Sequence, residues 1–262
     1  MPAHVSPQKQ VVLLGASNLF RALSTVVETA RLICGSPCRF LIACGAGRSY
    51  GVKTSALCRQ LPGITECGLW DALREGQRLP TFALLTDIGT DIMYGYQTDT
   101  IIGWVRRCVD LLGQHSARTI LMALPMQRIE RVSPSCFLFF RSFLFPTQQI
   151  KFKQVIITAR ALNLALHDLA VEQKATIVQH EAHWYGLDPI HSRMRYWPYI
   201  YQQSLKPWLE VSREVPSRAT SSLRRGLYLR LLVPHWRRIC HHEQRRDQPA
   251  GVLPDGSTIA MY

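Results

Sequence analysis

Residues 1–210 predict an α/β domain, a three-layer sandwich with a five-stranded parallel sheet, flavodoxin-like in strand order. Three observations carry this expectation. Short apolar runs recur without the polar alternation of a half-exposed strand, as expected where helices cover both faces of a parallel sheet. Longer stretches with apolar residues at helical spacing separate them. The runs give way to Gly or Pro, residues that punctuate turns.

The elements follow in order. "VVLL" (11–14) is the first strand. After Gly15, Ala16 and Ser17, residues Leu19, Ala22, Leu23, Val26, Val27 and Ala30 trace one face of a helix. "RFLIAC" (39–44) is the second strand and opens into the turn-rich "GAGRSYG" (45–51). "FALLTDI" (82–88) is the third, ending at Gly89, with a helix face at Ile101, Val105, Cys108, Val109 and Leu112 beyond it. "TILMAL" (119–124), closed by Pro125, is the fourth. A long helix turns Phe152, Val155, Ile156, Ala159, Leu162, Leu166 and Leu169 inward, and "ATIVQ" (175–179) is the fifth strand. In open sheets of this kind the working site lies outside the carboxyl ends of the strands. Ser17, Gly45, Gly89 and Pro125 should therefore share one rim.

Composition bounds the function. The chain has 262 residues and a net charge of +13, which suits anionic partners or substrates and solubility. Its 8 cysteines are scattered with no C-x-x-C pair, so they read as buried free thiols, and no metal or cofactor is expected. The leader "MPAHVSPQKQ" lacks the charged and apolar regions of a signal peptide, and no stretch approaches the ~20 apolar residues of a membrane helix. Together these point to the cytoplasm. From Val211 to Tyr262 there are 9 arginines, no lysine and 4 acidic residues. Residues 211–262 are therefore expected to form an arginine-rich extension, partly disordered, whose basic amphipathic stretch suits contact with an anionic surface. No nucleic-acid motif and no phosphate-binding glycine fingerprint is present.

The chemistry starts at Ser17. A serine hydroxyl is a weak nucleophile until a base takes its proton, and free amides at a helix N-terminus favour developing negative charge. The competing role is capping, by Ser17 or by Asn18. A base is available in "WYGLDPIHSRM" (184–194), where Asp188 and His191 lie three residues apart. A turn through Pro189 and Ile190 would bring the carboxylate to one imidazole nitrogen and leave the other facing outward, as a serine nucleophile requires.

The strand–"GASN"–helix start, with "DPIH" about 170 residues on, resembles the SGNH (GDSL-type) hydrolase superfamily over residues 11–210. The resemblance implies Ser17 as nucleophile, His191 as general base and Asp188 as the residue that orients it. It implies an oxyanion hole formed by the Ser17 amide, a glycine after the second strand and an asparagine after the third. For the glycine, "CGAGRSYG" offers Gly45 and Gly47, and Gly45, directly at the strand end, is favoured. The chain departs from the pattern twice. Ala16 stands where the family has aspartate, and "TDIGTDIMYG" (86–95) puts Thr90 or Asp91 where asparagine is expected.

The implied function is serine-dependent hydrolysis of a small-molecule ester without a cofactor. The alternative is a weak or inactive relative of the same fold that binds an anionic partner. Arg48, Tyr50 and Tyr94 on strand-end loops are candidates to shape the substrate pocket. "SPSCFLFFRSFLFP" (133–146), with five of the nine phenylalanines, would line an acyl pocket as a flap, with Phe137 a candidate contact, or else serve as a core or interface segment.

Overall fold

The computed structural model describes residues 6–56, 58–145, 148–186, 188, 190–209, 218–220 and 222–262. In chain order, β1 (Lys9–Leu14) leads into α1 (Ser17–Cys34) and β2 (Cys38–Ala43). A small hairpin of β3 (Thr54–Ala56) and β4 (Arg59–Leu61), then α2 (Leu69–Glu75), precede β5 (Thr81–Leu85). A 3-10 segment at Ile88–Tyr94 joins β5 to α3 (Thr98–Gly113) and β6 (Arg118–Met122). The single turn α4 (Met126–Ile129), α5 (Pro134–Leu144), α6 (Phe152–Glu172), β7 (Thr176–Val178) and α7 (Trp197–Leu205) follow. The chain continues through α8 (Leu223–Leu231), β8 (Trp236–Ile239), β9 (His242–Arg245), β10 (Gly251–Val252) and β11 (Thr258–Met261).

The central sheet has the order β10-β11-β2-β1-β5-β6-β7, parallel throughout except between β10 and β11. The five strands from β2 to β7 are the expected ones, and two more are added at the β2 edge. Successive strand residues face opposite sides. Val11 and Leu13 pack with Phe40 and Ile42 against α1 and α7, whereas Val12 and Leu14 pack with Leu41 and Ala43 against α3 and α6. Both sides of β1 are covered, which is why residues 11–14 of it are apolar at every position. Each of the fully buried valine, leucine, isoleucine and phenylalanine side chains among these contributes roughly 1.5–3 kcal/mol.

The C-terminal extension is a correction to the sequence reading. Residues 211–217 and 221 lie outside the described residues, but the rest is built into the domain. "TIAM" at 258–261 is a short apolar run, and it completes an otherwise open ladder along β2, with Ile259 opposite Phe40 and Met261 opposite Ile42. The α8 helix packs on α1, where Arg225 pairs with Glu28 and Arg230 donates to the Arg21 carbonyl. The β8–β9 hairpin extends the β3–β4 hairpin into a four-stranded antiparallel sheet. The arginines made this segment read as solvated, yet α8, which carries three of them, packs on α1 through the buried Leu229. Among the described residues no helix is long and apolar enough to cross a membrane.

Candidate active site

Ser17 is the first residue of α1, and neither it nor Asn18 caps the helix. That task falls to Asp87, just past β5, whose Oδ2 accepts hydrogen bonds from the amides of Ala16 (2.8 Å) and Leu19 (3.1 Å). A carboxylate there satisfies free amides of the first turn and interacts favourably with the helix dipole. Asp87 adopts φ 60°, a left-handed conformation that aspartate tolerates better than most residues. The Ser17 side chain is thereby left available.

Asn18 ties the site together. Its amide nitrogen donates to Asp87 Oδ1 (2.9 Å) and to the Ile190 carbonyl (3.0 Å), and its Oδ1 accepts from the Ser192 amide (2.9 Å) and hydroxyl (3.2 Å). These bonds bracket His191. The imidazole Nε2 lies 3.0 Å from Ser17 Oγ, and Nδ1 lies 2.6 Å from Asp188 Oδ2. Asp188 Oδ1 accepts the amides of Ile190 (2.8 Å) and His191 (3.2 Å), which closes the turn. Pro189, part of the expected turn, lies outside the described residues. Partial burial pushes the Asp188 carboxyl up, but the His191 hydrogen bond, its charge and the two amides outweigh this and hold it below its ordinary value. Asp188 is thus ionised at neutral pH, and its carboxylate favours the tautomer with the proton on Nδ1 and Nε2 free to accept from Ser17.

A cavity of about 730 Å³ opens at this triad. The structure brings Thr90, Tyr94 and Phe137 into its wall with Ser17 and His191. Of the two residues offered for the asparagine position, Thr90 reaches the cavity, while Asp91 is 0% exposed and accepts the Tyr50 amide (2.9 Å). In the loop after β2, Ala46 and Gly47 form the wall. Gly45, the favoured glycine, lies against Leu61 and does not line the cavity. Gly47 has φ +61°, and a Cβ there would meet the Tyr94 hydroxyl.

Arg48 and Tyr50 are corrections. Both are 0% exposed and neither lines the cavity. Arg48 donates to the carbonyls of Pro62 and Tyr262, joining the loop to the C-terminal strand, and the Tyr50 hydroxyl donates to the Thr86 carbonyl (2.8 Å). A loop arginine reads as solvated or substrate-facing unless its distant carbonyl partners are known. The residues missed by sequence reasoning are Asp87 and, as a bracket rather than a cap, Asn18. The available signal was an acidic residue at the carboxyl end of a strand beside β1.

Burial pushes the Asp91 carboxyl up to about 6, from an unfolded value near 4. The folded state then prefers the protonated form. That contribution is complete below about pH 4 and is lost as pH rises through 6, a change of up to ~3 kcal/mol. Urea unfolding of wild type and Asp91→Asn between pH 4 and pH 8 measures it. The wild type should lose stability relative to the variant by an amount approaching that figure, and parallel pH curves would rule the effect out.

No family model matches this chain, and no curated protein matches it. Solved structures do. A carbohydrate acetylesterase family member from Sinorhizobium meliloti aligns with a TM-score of 0.51 at 15% identity, over 76% of this chain and 96% of that one. Est24, a carbohydrate acetylesterase from the same organism, gives 0.50 at 14%, over 76% and 99%. The inhibitor-bound form of an aryl esterase from M. Smegmatis gives 0.50 at 11%, over 77% and 100%. Likeness at these identities is likeness of fold, and with the parallel sheet and strand order it establishes that this chain has the fold of the SGNH hydrolases.

Proposed function

We propose that the protein is a serine-dependent ester hydrolase acting through Ser17, His191 and Asp188. The observation that carries the reading is the unbroken chain of contacts from Ser17 Oγ to His191 Nε2 and from His191 Nδ1 to Asp188 Oδ2, at 3.0 and 2.6 Å. His191 takes the hydroxyl proton as Ser17 Oγ attacks the acyl carbon, and Asp188 stabilises the imidazolium that forms. The negative charge gathering on the carbonyl oxygen is met by the Ser17 amide at the start of α1, the Gly47 amide and the Thr90 hydroxyl. Collapse of the tetrahedral intermediate breaks the bond to the alcohol oxygen, which receives the proton from His191 Nε2. Water then enters, gives a proton to His191 and attacks the acyl-serine, and the carboxylic acid leaves as the proton returns to Ser17.

The test is covalent labelling with a fluorophosphonate probe. Wild type should label, and Ser17→Ala and His191→Ala should not. Folded wild type that resists the probe would reject catalysis in favour of the binding-module reading.

A further inference from the structure

We propose that the cavity beside Ser17 is an acyl subsite for a medium-length aliphatic chain, so that the preferred ester carries such a chain rather than acetyl. The inference rests on the serine-hydrolase reading and adds its substrate class. At about 730 Å³ the cavity is the size that takes a drug-like ligand, and an acetyl group would leave most of it empty. Beyond the polar rim its wall is apolar, formed by Ile92, Met93, Phe137, Phe140, Phe152 and Val155. Ring packing braces it, with Phe137 5.1 Å from Phe152 and Tyr94 5.3 Å from Phe145. Two of the polar side chains in the wall make hydrogen bonds within the protein, although the buried Arg141 Nε has no partner among the described residues. The Tyr94 hydroxyl donates to the Gly47 carbonyl, and Arg141 donates to the Ile150 carbonyl.

Geometry assigns this space to the acyl half. His191 must return its proton to the leaving alcohol, so the alcohol departs on the His191 side. His191 arrives with the segment leading to α7, which covers the same sheet face as α1. The apolar wall comes from the 88–94 segment, α5 and α6, packed on the opposite face. A neighbouring cavity of about 650 Å³, lined by Gln127, Arg131, Gln179, Glu181 and His183, meets the first at His180 and Tyr185. In the apolar cavity each buried methylene is worth about fourfold in rate.

The experiment is kcat/KM for p-nitrophenyl esters from acetyl to dodecanoyl, with fluorophosphonate labelling of the same preparations. The expected result is a rise of roughly 10²-fold between acetyl and hexanoyl. Val155→Phe, which fills the cavity, should move the maximum to shorter chains and lower the octanoyl-to-butyryl ratio by roughly tenfold. General structural damage would lower both esters alike, so the ratio reports the cavity. If acetyl is the best ester while the probe still labels Ser17, the acyl subsite is rejected and the hydrolase reading stands. If the folded protein does not label at all, the hydrolase reading falls and the subsite falls with it.

Discussion

His191→Ala should lower kcat on the best ester by about 10⁶, and Asp188→Asn by about 10⁴, with the double variant no slower than His191→Ala alone. The hierarchy follows from what each atom does. Without the imidazole nothing among the described residues within hydrogen-bond reach of Ser17 Oγ accepts its proton, because His191 Nε2 is the group at 3.0 Å. Asparagine at 188 preserves shape, and its carbonyl oxygen can still accept the amides of Ile190 and His191 that Oδ1 now holds. Its NH₂ group, however, would face Nδ1 where Oδ2 lies at 2.6 Å. The imidazole would then carry its proton on Nε2 and could no longer accept from serine, the wrong-tautomer effect. Alanine at 188 would also open the turn, so asparagine is the sharper probe. Steady-state kinetics on variants with wild-type circular dichroism checks the ordering. Losses below tenfold in both would mean that His191 and Asp188 do not form the base.

What the sequence made legible is what depends on nearby residues. The handover from "VVLL" to Ser17 is local, and so is the three-residue spacing that lets Asp188 cap its own turn and reach Nδ1 of His191. The sheet was legible because burial on both faces leaves runs such as residues 11–14 and 82–85 without a polar position. Strand ends were less so. "FALLTDI" was read as continuing to residue 88, but the ladder stops at Leu85, and Asp87 turns into a left-handed conformation to reach α1.

The misreadings share a physical cause, which is partnership over long sequence distances. Arg48 looked like a substrate contact because isolated arginines are seldom fully buried, yet its Nε and Nη1 donate to carbonyls at 62 and 262. The run at 258–261 is too short to announce a strand, and its place beside β2 follows only from the edge it covers, more than 200 residues earlier in the chain. Asp91 was the other residue offered for the asparagine position. Its hydrogen bond from Tyr50, 41 residues away, holds it beneath the site instead.

That placement makes Thr90 the test of how well the site works. Thr90→Val should lower kcat by about 10²–10³ with little change in KM, because an oxyanion donor acts mainly in the transition state. Valine keeps the size and β-branching of threonine while removing its hydroxyl. The local fold should survive, since the Thr90 amide donates to the Asp87 carbonyl (3.0 Å) whatever the side chain. Thr90→Asn should match or exceed wild type, because the longer amide restores the donor that the SGNH resemblance implies at this position. A Thr90→Val variant as fast as wild type would mean that backbone amides alone hold the oxyanion. In that case the threonine fills space, and the loss of asparagine costs this site nothing. Equal losses in valine and asparagine variants would instead point to the threonine hydroxyl's particular reach, with the oxyanion closer to the 88–94 segment than an asparagine side chain allows. The asparagine variant's kcat relative to wild type therefore measures how far the substitution at 90 has weakened catalysis, and the valine variant's kcat measures how much the hydroxyl still supplies.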